Sequence, residues 1–117
     1  MTIENALASV AVKDIDKSAA WYAELLGVKG QRPMPEVEEW MFPGGGGLQV
    51  YQGAERAGNC SFTLAVSDIE TVARTLAAMG VEPGACANNE RVRTLMVKDP
   101  DGNSIAIAEA LDPALAR

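Results

Sequence analysis

The chain has 117 residues, of which 48% are hydrophobic, and its formal net charge is −6. This length is typical of a single globular domain, and an acidic surface disfavours nucleic acid and anionic membranes as partners. Because the chain has no histidine, a Ser-His-Asp triad, a Cys-His pair and an imidazole metal ligand are all excluded.

The most informative pattern is an internal repeat. Residues 9–16, SVAVKDID, recur as residues 63–70, TLAVSDIE, and each copy continues into a helical stretch that ends in Gly-Val. The Pro43–Val50 and Pro100–Ile107 segments repeat a second pattern, with a proline, a glycine and two aliphatic residues at equal spacing. Two copies of one supersecondary unit predict a pseudo-symmetric domain, whose ligand site is expected where the halves meet.

The first unit spans residues 5–52 and is expected to fold as βαβββ. Asp14 or Asp16 is suited to cap the helix, because either carboxylate can accept hydrogen bonds from its first N–H groups. Apolar residues then recur at helical spacing as far as Gly27, which can adopt the left-handed conformation that ends a helix. Strands are expected at residues 6–12, 28–34, 37–42 and 47–52.

A connector at residues 53–59 leads to the second unit, residues 60–110, which repeats this order. Asp68 is expected to cap a helix over residues 69–79, and Gly80 is expected to end it. Strands are expected at residues 60–67, 82–87, 92–98 and 104–109. Residues 111–117 are predicted to be a frayed tail. The two units together predict one α+β domain built from paired βαβββ units.

Strand alternation divides the side chains of the four best-matched strands between two faces. One face is wholly large and apolar and is predicted to be buried beneath the helices. It carries Val10, Val12, Leu48, Val50, Phe62, Leu64, Val66, Ile105 and Ile107. The other, which we call the cup face, is mostly small or polar and is expected to line an open ligand site if the sheet curves. It carries Leu7, Ser9, Ala11, Gln49, Tyr51, Ser61, Thr63, Ala65, Ala106 and Ala108.

The candidate ligand-binding residues comprise most of the cup face and two aromatic residues before the glycine run. They are Leu7, Ser9, Trp40, Phe42, Gln49, Tyr51, Ser61, Thr63, Ala106 and Ala108. Trp40 and Phe42 share one side of their strand and are interpreted as an aromatic wall for a planar ligand, the alternative being edge packing or a dimer contact. Tyr51 is suited to stack on a ligand or to pack across the sheet. Gln49 either reads a polar group of the ligand or is a neutral residue without a role.

The segment from Asp14 to Gly27 and the segment from Asp99 to Asn103, DPDGN, together resemble the vicinal-oxygen-chelate superfamily, which includes glyoxalase I, extradiol dioxygenases and bleomycin-resistance proteins. The resemblance covers essentially the whole chain and implies a curved, cup-shaped mixed sheet. It also implies a divalent metal in the cup, held by two ligands from each unit, usually histidine and glutamate. The corresponding positions here are Leu7, Gln49, Ser61 and Ala106, and none is a good ligand for a transition metal.

The resemblance and the missing ligands together predict a metal-free protein without a cofactor that binds a small molecule, as bleomycin-resistance proteins sequester a drug, with a role in antibiotic resistance. The alternatives are a glyoxalase- or dioxygenase-like enzyme (a lyase, isomerase or oxygenase) with an atypical metal or none, and a scaffold with a vestigial cup. A homodimer is expected, because related proteins usually bury their sheet edges in one. No apolar run is long enough for a membrane span and no secretory leader is evident, so a cytoplasmic location is expected.

Overall fold

The computed structural model describes residues 2–84 and 86–111, and it contains the two βαβββ units that the repeat predicts. The first consists of β1 (Leu7–Val12), α1 (Ile15–Leu26), β2 (Gln31–Met34), β3 (Val37–Met41) and β4 (Gly47–Gln52). The second consists of β5 (Ser61–Val66), α2 (Ile69–Ala78), β6 (Cys86–Asn88), β7 (Val92–Lys98) and β8 (Ser104–Ala110). The predicted tail lies outside the described residues from position 112 onward. Neither described helix is long and apolar enough to cross a membrane.

Both helices begin at an aspartate cap. Of the two candidates in the first unit, Asp14 is the cap, and its Oδ1 accepts a hydrogen bond of 3.2 Å from the N–H of Lys17. Asp68 caps α2 in the same way, accepting from the N–H of Glu70 at 3.1 Å. The first helix ends at Gly27, whose φ of 78° is the left-handed conformation that glycine adopts without strain.

A second contact at each helix start confirms the pseudo-symmetry. The side-chain Oε1 of Gln52, at the end of β4, accepts a hydrogen bond of 3.1 Å from the N–H of Ile15. Glu109, near the end of β8, accepts from the N–H of Ile69 at 2.9 Å through its own Oε1. Each helix is therefore tied to the last strand of its own unit by the same device, because its first N–H groups have no partner within the helix.

Each unit forms a four-stranded mixed sheet, in the order β1-β4-β3-β2 in the first and β5-β8-β7-β6 in the second. The first and last strands of each unit are parallel neighbours, and the other pairs are antiparallel. The two sheets meet where β1 lies beside β5, and the N–H of Ala11 is 3.4 Å from the Sγ of Cys60. The edge strands β2 and β6 are shorter than the sequence predicts.

The helices cover the apolar face of the sheets, as predicted. Fully or almost fully buried strand residues there are Val10, Val12, Leu48, Val50, Ile105 and Ile107. They form one core cluster with Tyr22 of α1 and Leu76 of α2. The three β5 residues predicted for the same face, Phe62, Leu64 and Val66, are only half-buried. The reason is a cavity beside β5, described below.

The turns that precede the last strand of each unit share the conformation of one glycine and one backbone hydrogen bond. We call residues 42–47 the first turn and residues 99–104 the second turn. Gly45 and Gly102 have φ values of 92° and 93°. The N–H of Gly45 donates to the carbonyl of Phe42 at 3.0 Å, and the N–H of Gly102 donates to the carbonyl of Asp99 at 2.9 Å. The repeat seen in the sequence therefore extends to the backbone as far as this glycine, and the turns differ at the next residue, where Gly46 has a φ of 76° and Asn103 does not have a positive φ.

Candidate functional site

The cup face is not covered by either helix. Both helices belong to the core on the opposite side of the sheets, and the molecule measures 43 × 42 × 24 Å. A short dimension of this size corresponds to one sheet layer and one helix layer, since packed layers lie about 10 Å apart. Ser9, Ser61 and Thr63 are accordingly exposed, whereas Ala11, which the alternation also placed on this face, is fully buried. The exposed part of the cup face is therefore a surface open to a ligand or to another protein surface.

A row of polar side chains crosses the cup face of the first unit. The Oγ of Ser9 donates to the Oε1 of Gln49 at 3.3 Å, and the Nε2 of Gln49 donates to the Oε2 of Glu39 at 2.8 Å. The register explains this row, because Gln49 lies opposite both Ser9 and Glu39 on the neighbouring strands. The row ends in a carboxylate, so it presents negative charge and acceptor atoms at the cup face.

Sequence reasoning missed Glu39. Its position follows from the alternation of side chains along β3. The register of β3 on β4 places Val37, Glu39 and Met41 on the same side of the sheet as Gln49 and Tyr51. Reading that parity requires the register across the first turn, and a turn of several glycines does not set a register from sequence alone.

The same register corrects the assignment of Trp40. Trp40 lies opposite Leu48, so it points into the core rather than onto the cup face, and it is 3% exposed. Its Nε1 donates to the carbonyl of Val28 at 2.8 Å, and its ring centroid is 6.4 Å from that of Tyr22. The indole is thus satisfied within the core, and the expected aromatic wall on the cup face does not form from this residue.

Tyr51 keeps its predicted place. It is half-buried on the cup face, beside Ala11 and opposite Val37. Its ring lies so close to Gly53 that a Cβ added there would be 2.9 Å from Cε2 of the ring. The ring of Tyr51 therefore occupies its position only because Gly53 has no side chain. Tyr51 lies near the end of β4, the strand that also carries Gln49.

The remaining candidates form a second group on the sheet of the second unit. Thr63 lies opposite Ala106, and Ala65 lies opposite Ala108, across the parallel β5–β8 pair. Ser61 is exposed on the same face, and the side chains are all small. The structure therefore brings the predicted residues together as two groups, one on each sheet: a polar group with Leu7 and Tyr51, and a group of small side chains.

A cavity of about 520 Å³ lies on the other side of the sheets, between both helices and the first turn. This volume is within the range of ligand pockets. Phe42, predicted with Trp40 as part of an aromatic wall for a ligand, lines this cavity, as do Leu25 of α1 and Val72 of α2. Five consecutive β5 residues, Phe62 to Val66, also line it. In the sequence, the feature that corresponds to this cavity is the glycine run at residues 44–47, because glycines have no side chains to fill the space.

Comparison with models of known protein families shows which family the chain belongs to. Residues 8–108 match the family model described as "Glyoxalase-like domain". The chain belongs to this family. The glyoxalase-like domain is thus confirmed as a member of the vicinal-oxygen-chelate superfamily, as the segments from Asp14 to Gly27 and from Asp99 to Asn103 together indicated, and the α+β fold of paired βαβββ units is confirmed with it.

Several proteins of known structure have similar folds, and their names describe different activities. A glyoxalase/bleomycin resistance protein from Catenulispora acidiphila is 33% identical, with a TM-score of 0.82, over 92% of this chain and 98% of that one. TnmS3, an antibiotic-binding protein from a Streptomyces species, is 25% identical, with a TM-score of 0.76, over 94% and 98%. The oxidase ChaP-H2 is 22% identical, with a TM-score of 0.76, over 93% and 94%, and shows the fold alone. The comparison with curated proteins finds no match.

The residues at the superfamily's metal positions do not fit a metal. Leu7 and Ala106 have hydrocarbon side chains, and Gln49 and Ser61 offer one amide and one hydroxyl. Transition metals in such sites prefer imidazole, thiolate and carboxylate ligands. The nearby Glu39 adds a single carboxylate, and no group of three or more acidic, cysteine or histidine side chains is positioned to hold a metal in the described part of the chain.

Proposed function

We propose that this glyoxalase-like domain binds a small organic molecule on its cup face, without a metal, and releases it unchanged. The observation that carries the proposal is the Ser9–Gln49–Glu39 row beside Tyr51, in which Gln49 stands at one of the superfamily's four metal positions. The row supplies hydrogen-bonding groups that fix the orientation of a ligand, and the phenol ring supplies apolar contact.

The chemistry of the row favours a ligand with a donor or cationic group on an aromatic or apolar body. The Glu39 carboxylate accepts hydrogen bonds only, and the chain carries a net charge of −6. A protonated amine facing this carboxylate gains a charge-assisted hydrogen bond, whereas an anionic ligand is repelled. Sequestration is consistent with the name of TnmS3, an antibiotic-binding protein of similar fold.

We further propose that a second copy of the chain completes the site in a homodimer, inside the cytoplasm. The cup face has no covering element from its own chain, and its two groups of candidate residues lie on separate sheets. A symmetric pair of such faces encloses a ligand between them. Sedimentation equilibrium at micromolar concentration tests this proposal, and a mass equal to a single chain contradicts it.

The binding test uses bleomycin, a cationic drug, and calorimetric titration in buffer containing a metal chelator. We expect the wild type to release heat on binding the drug. Glu39→Gln is expected to lower the affinity at least tenfold, because the carboxylate is lost, while Glu90→Gln in an exposed turn leaves the affinity unchanged. Chromatography after prolonged incubation is expected to recover the drug unmodified. Binding that appears only after nickel, manganese, zinc or iron is added, or conversion of the drug, would instead support the enzyme alternative.

Elemental analysis provides an independent check of the metal-free assignment. After dialysis, we expect well under one equivalent of any transition metal per chain, because the four positions supply no imidazole and no carboxylate. One equivalent of tightly held metal overturns this part of the proposal.

A further inference from the structure

The second turn is tied to the opposite unit by three side chains. Asn103 is fully buried, and Asp99 is nearly so. The three hydrogen bonds run from the Nδ2 of Asn103 to the carbonyl of Ala11 (2.9 Å), from the N–H of Lys13 to the Oδ2 of Asp101 (3.1 Å) and from the hydroxyl of Tyr22 to the Oδ2 of Asp99 (2.8 Å). The backbone groups along the free edge of β1 are therefore hydrogen-bonded to an amide and a carboxylate of the second turn.

The first turn has a similar backbone, differing at Gly46, whose φ of 76° has no counterpart at Asn103, and it has none of these side chains. Phe42, Gly44 and Gly46 stand where the second turn has Asp99, Asp101 and Asn103. In the helices, Leu76 stands where α1 has Tyr22. The pseudo-symmetric partner of the closed junction is therefore left without polar side chains, and the cavity of about 520 Å³ lies there, lined by Phe42, Gly44 and Gly46.

The edge of β5 faces this cavity with its backbone. In the repeat, Ala65 and Ser67 correspond to Ala11 and Lys13, whose carbonyl and N–H point away from β4 to meet Asn103 and Asp101. Among the described residues, no side chain hydrogen-bonds to the carbonyl of Ala65 or the N–H of Ser67. Of these two residues only Ala65 lines the cavity, which therefore combines apolar walls with one backbone acceptor along a free strand edge.

We propose that this cavity is a second binding site, distinct from the cup face, for a neutral aromatic or alicyclic molecule carrying a primary carboxamide. The apolar body occupies the space between Phe42, Leu64 and Val72. The carboxamide donates to the carbonyl of Ala65, as the Asn103 amide does to the carbonyl of Ala11. A carboxylate ligand cannot make this bond, because it has no N–H to donate.

The test compares naphthaleneacetamide with naphthaleneacetate by ¹⁵N–¹H NMR titration of the full chain. We expect the amide to bind at least tenfold more tightly than the acid, with the largest shifts at the N–H groups of Val66 and the first turn. Equal affinity for the two compounds, no binding of the amide, or shifts confined to Gln49 and Tyr51 on the cup face overturns the proposal.

Two substitutions close the cavity in different ways. Gly44 does not have a positive φ, so Gly44→Asp introduces the counterpart of Asp101 without backbone strain, and Val72→Phe fills the space from α2. Each is expected to weaken amide binding at least tenfold, while Val28→Phe, at a position 59% exposed outside the cavity, leaves it unchanged. Wild-type affinity in either folded variant overturns the proposal. Because these variants leave the cup face intact, failure here is distinct from failure of bleomycin binding.

Discussion

The hydroxyl of Tyr22 donates a hydrogen bond of 2.8 Å to the carboxylate of Asp99, joining the helix of the first unit to the turn of the second. Tyr22 is fully buried, and its ring also lies 6.2 Å from that of Phe62 on β5. Burial, reinforced by the charge of Asp99, raises the pKa of the Tyr22 hydroxyl well above its ordinary value. The contact thus links the two halves of the repeat through a protonated phenol.

Tyr22→Phe is expected to lower the free energy of unfolding by about 2 kcal/mol, the typical contribution of a hydrogen bond to a charged group. The loss is limited because the Oδ2 of Asp99 still accepts from the Nδ2 of Asn103 at 2.8 Å. Urea unfolding at neutral pH measures the difference. A variant as stable as the wild type would show that the hydroxyl contributes nothing at this junction.

The pH dependence of stability follows from the same phenol. Its folded pKa is raised, so its contribution is fully present below the unfolded pKa of about 10 and is lost as the pH rises further, because the unfolded chain then releases the proton more readily. The stability difference between the wild type and Tyr22→Phe is therefore expected to narrow above pH 10. Urea unfolding at about pH 8, 10 and 11, on either side of that pKa, measures the difference, and a constant difference contradicts the assignment.

Asn103→Ala is expected to cost about 3 kcal/mol or more, because buried backbone groups lose their partners. The Oδ1 of Asn103 accepts from the N–H groups of Gly58 (2.8 Å) and Cys60 (3.0 Å) in addition to the bond to Ala11. Asn5 is the matched control, since it accepts from the N–H of Gly46 at 2.7 Å but is exposed. Asn5→Ala is expected to cost less than about 1 kcal/mol. Calorimetric melts of both variants decide, and equal losses would contradict a special role for the second turn.

Two neighbouring β8 residues test the assignment of the sheet faces. Ile105 is fully buried, so Ile105→Ala is expected to cost about 3 kcal/mol through the cavity that it creates. Ala106 lies on the cup face, and Ala106→Trp is expected to change stability by less than about 1 kcal/mol because its side chain extends into open space. Thermal melts compare them. If the tryptophan variant unfolds while the alanine variant does not, the face assignment is reversed.

Features set by local chemistry could be predicted from the sequence. The aspartate caps, the glycine that ends α1 and the alternation of β1, β4 and β8 each depend on a few adjacent residues. The repeat added the order of the elements, and the segments from Asp14 to Gly27 and from Asp99 to Asn103 together indicated the superfamily. The same alternation predicted from the sequence alone that Gln49 and Tyr51 lie on the cup face.

Features that depend on how distant segments meet required the tertiary structure. Trp40 and Glu39 are neighbours in sequence, and only the register of β3 on β4 decided which of them faces the core. A register shift of one residue would exchange their faces, because side chains alternate along a strand. The cavity arose in the same way: Gly46 and Ala65 are far apart in the chain, and the absence of a side chain matters only because folding places the first turn beside β5.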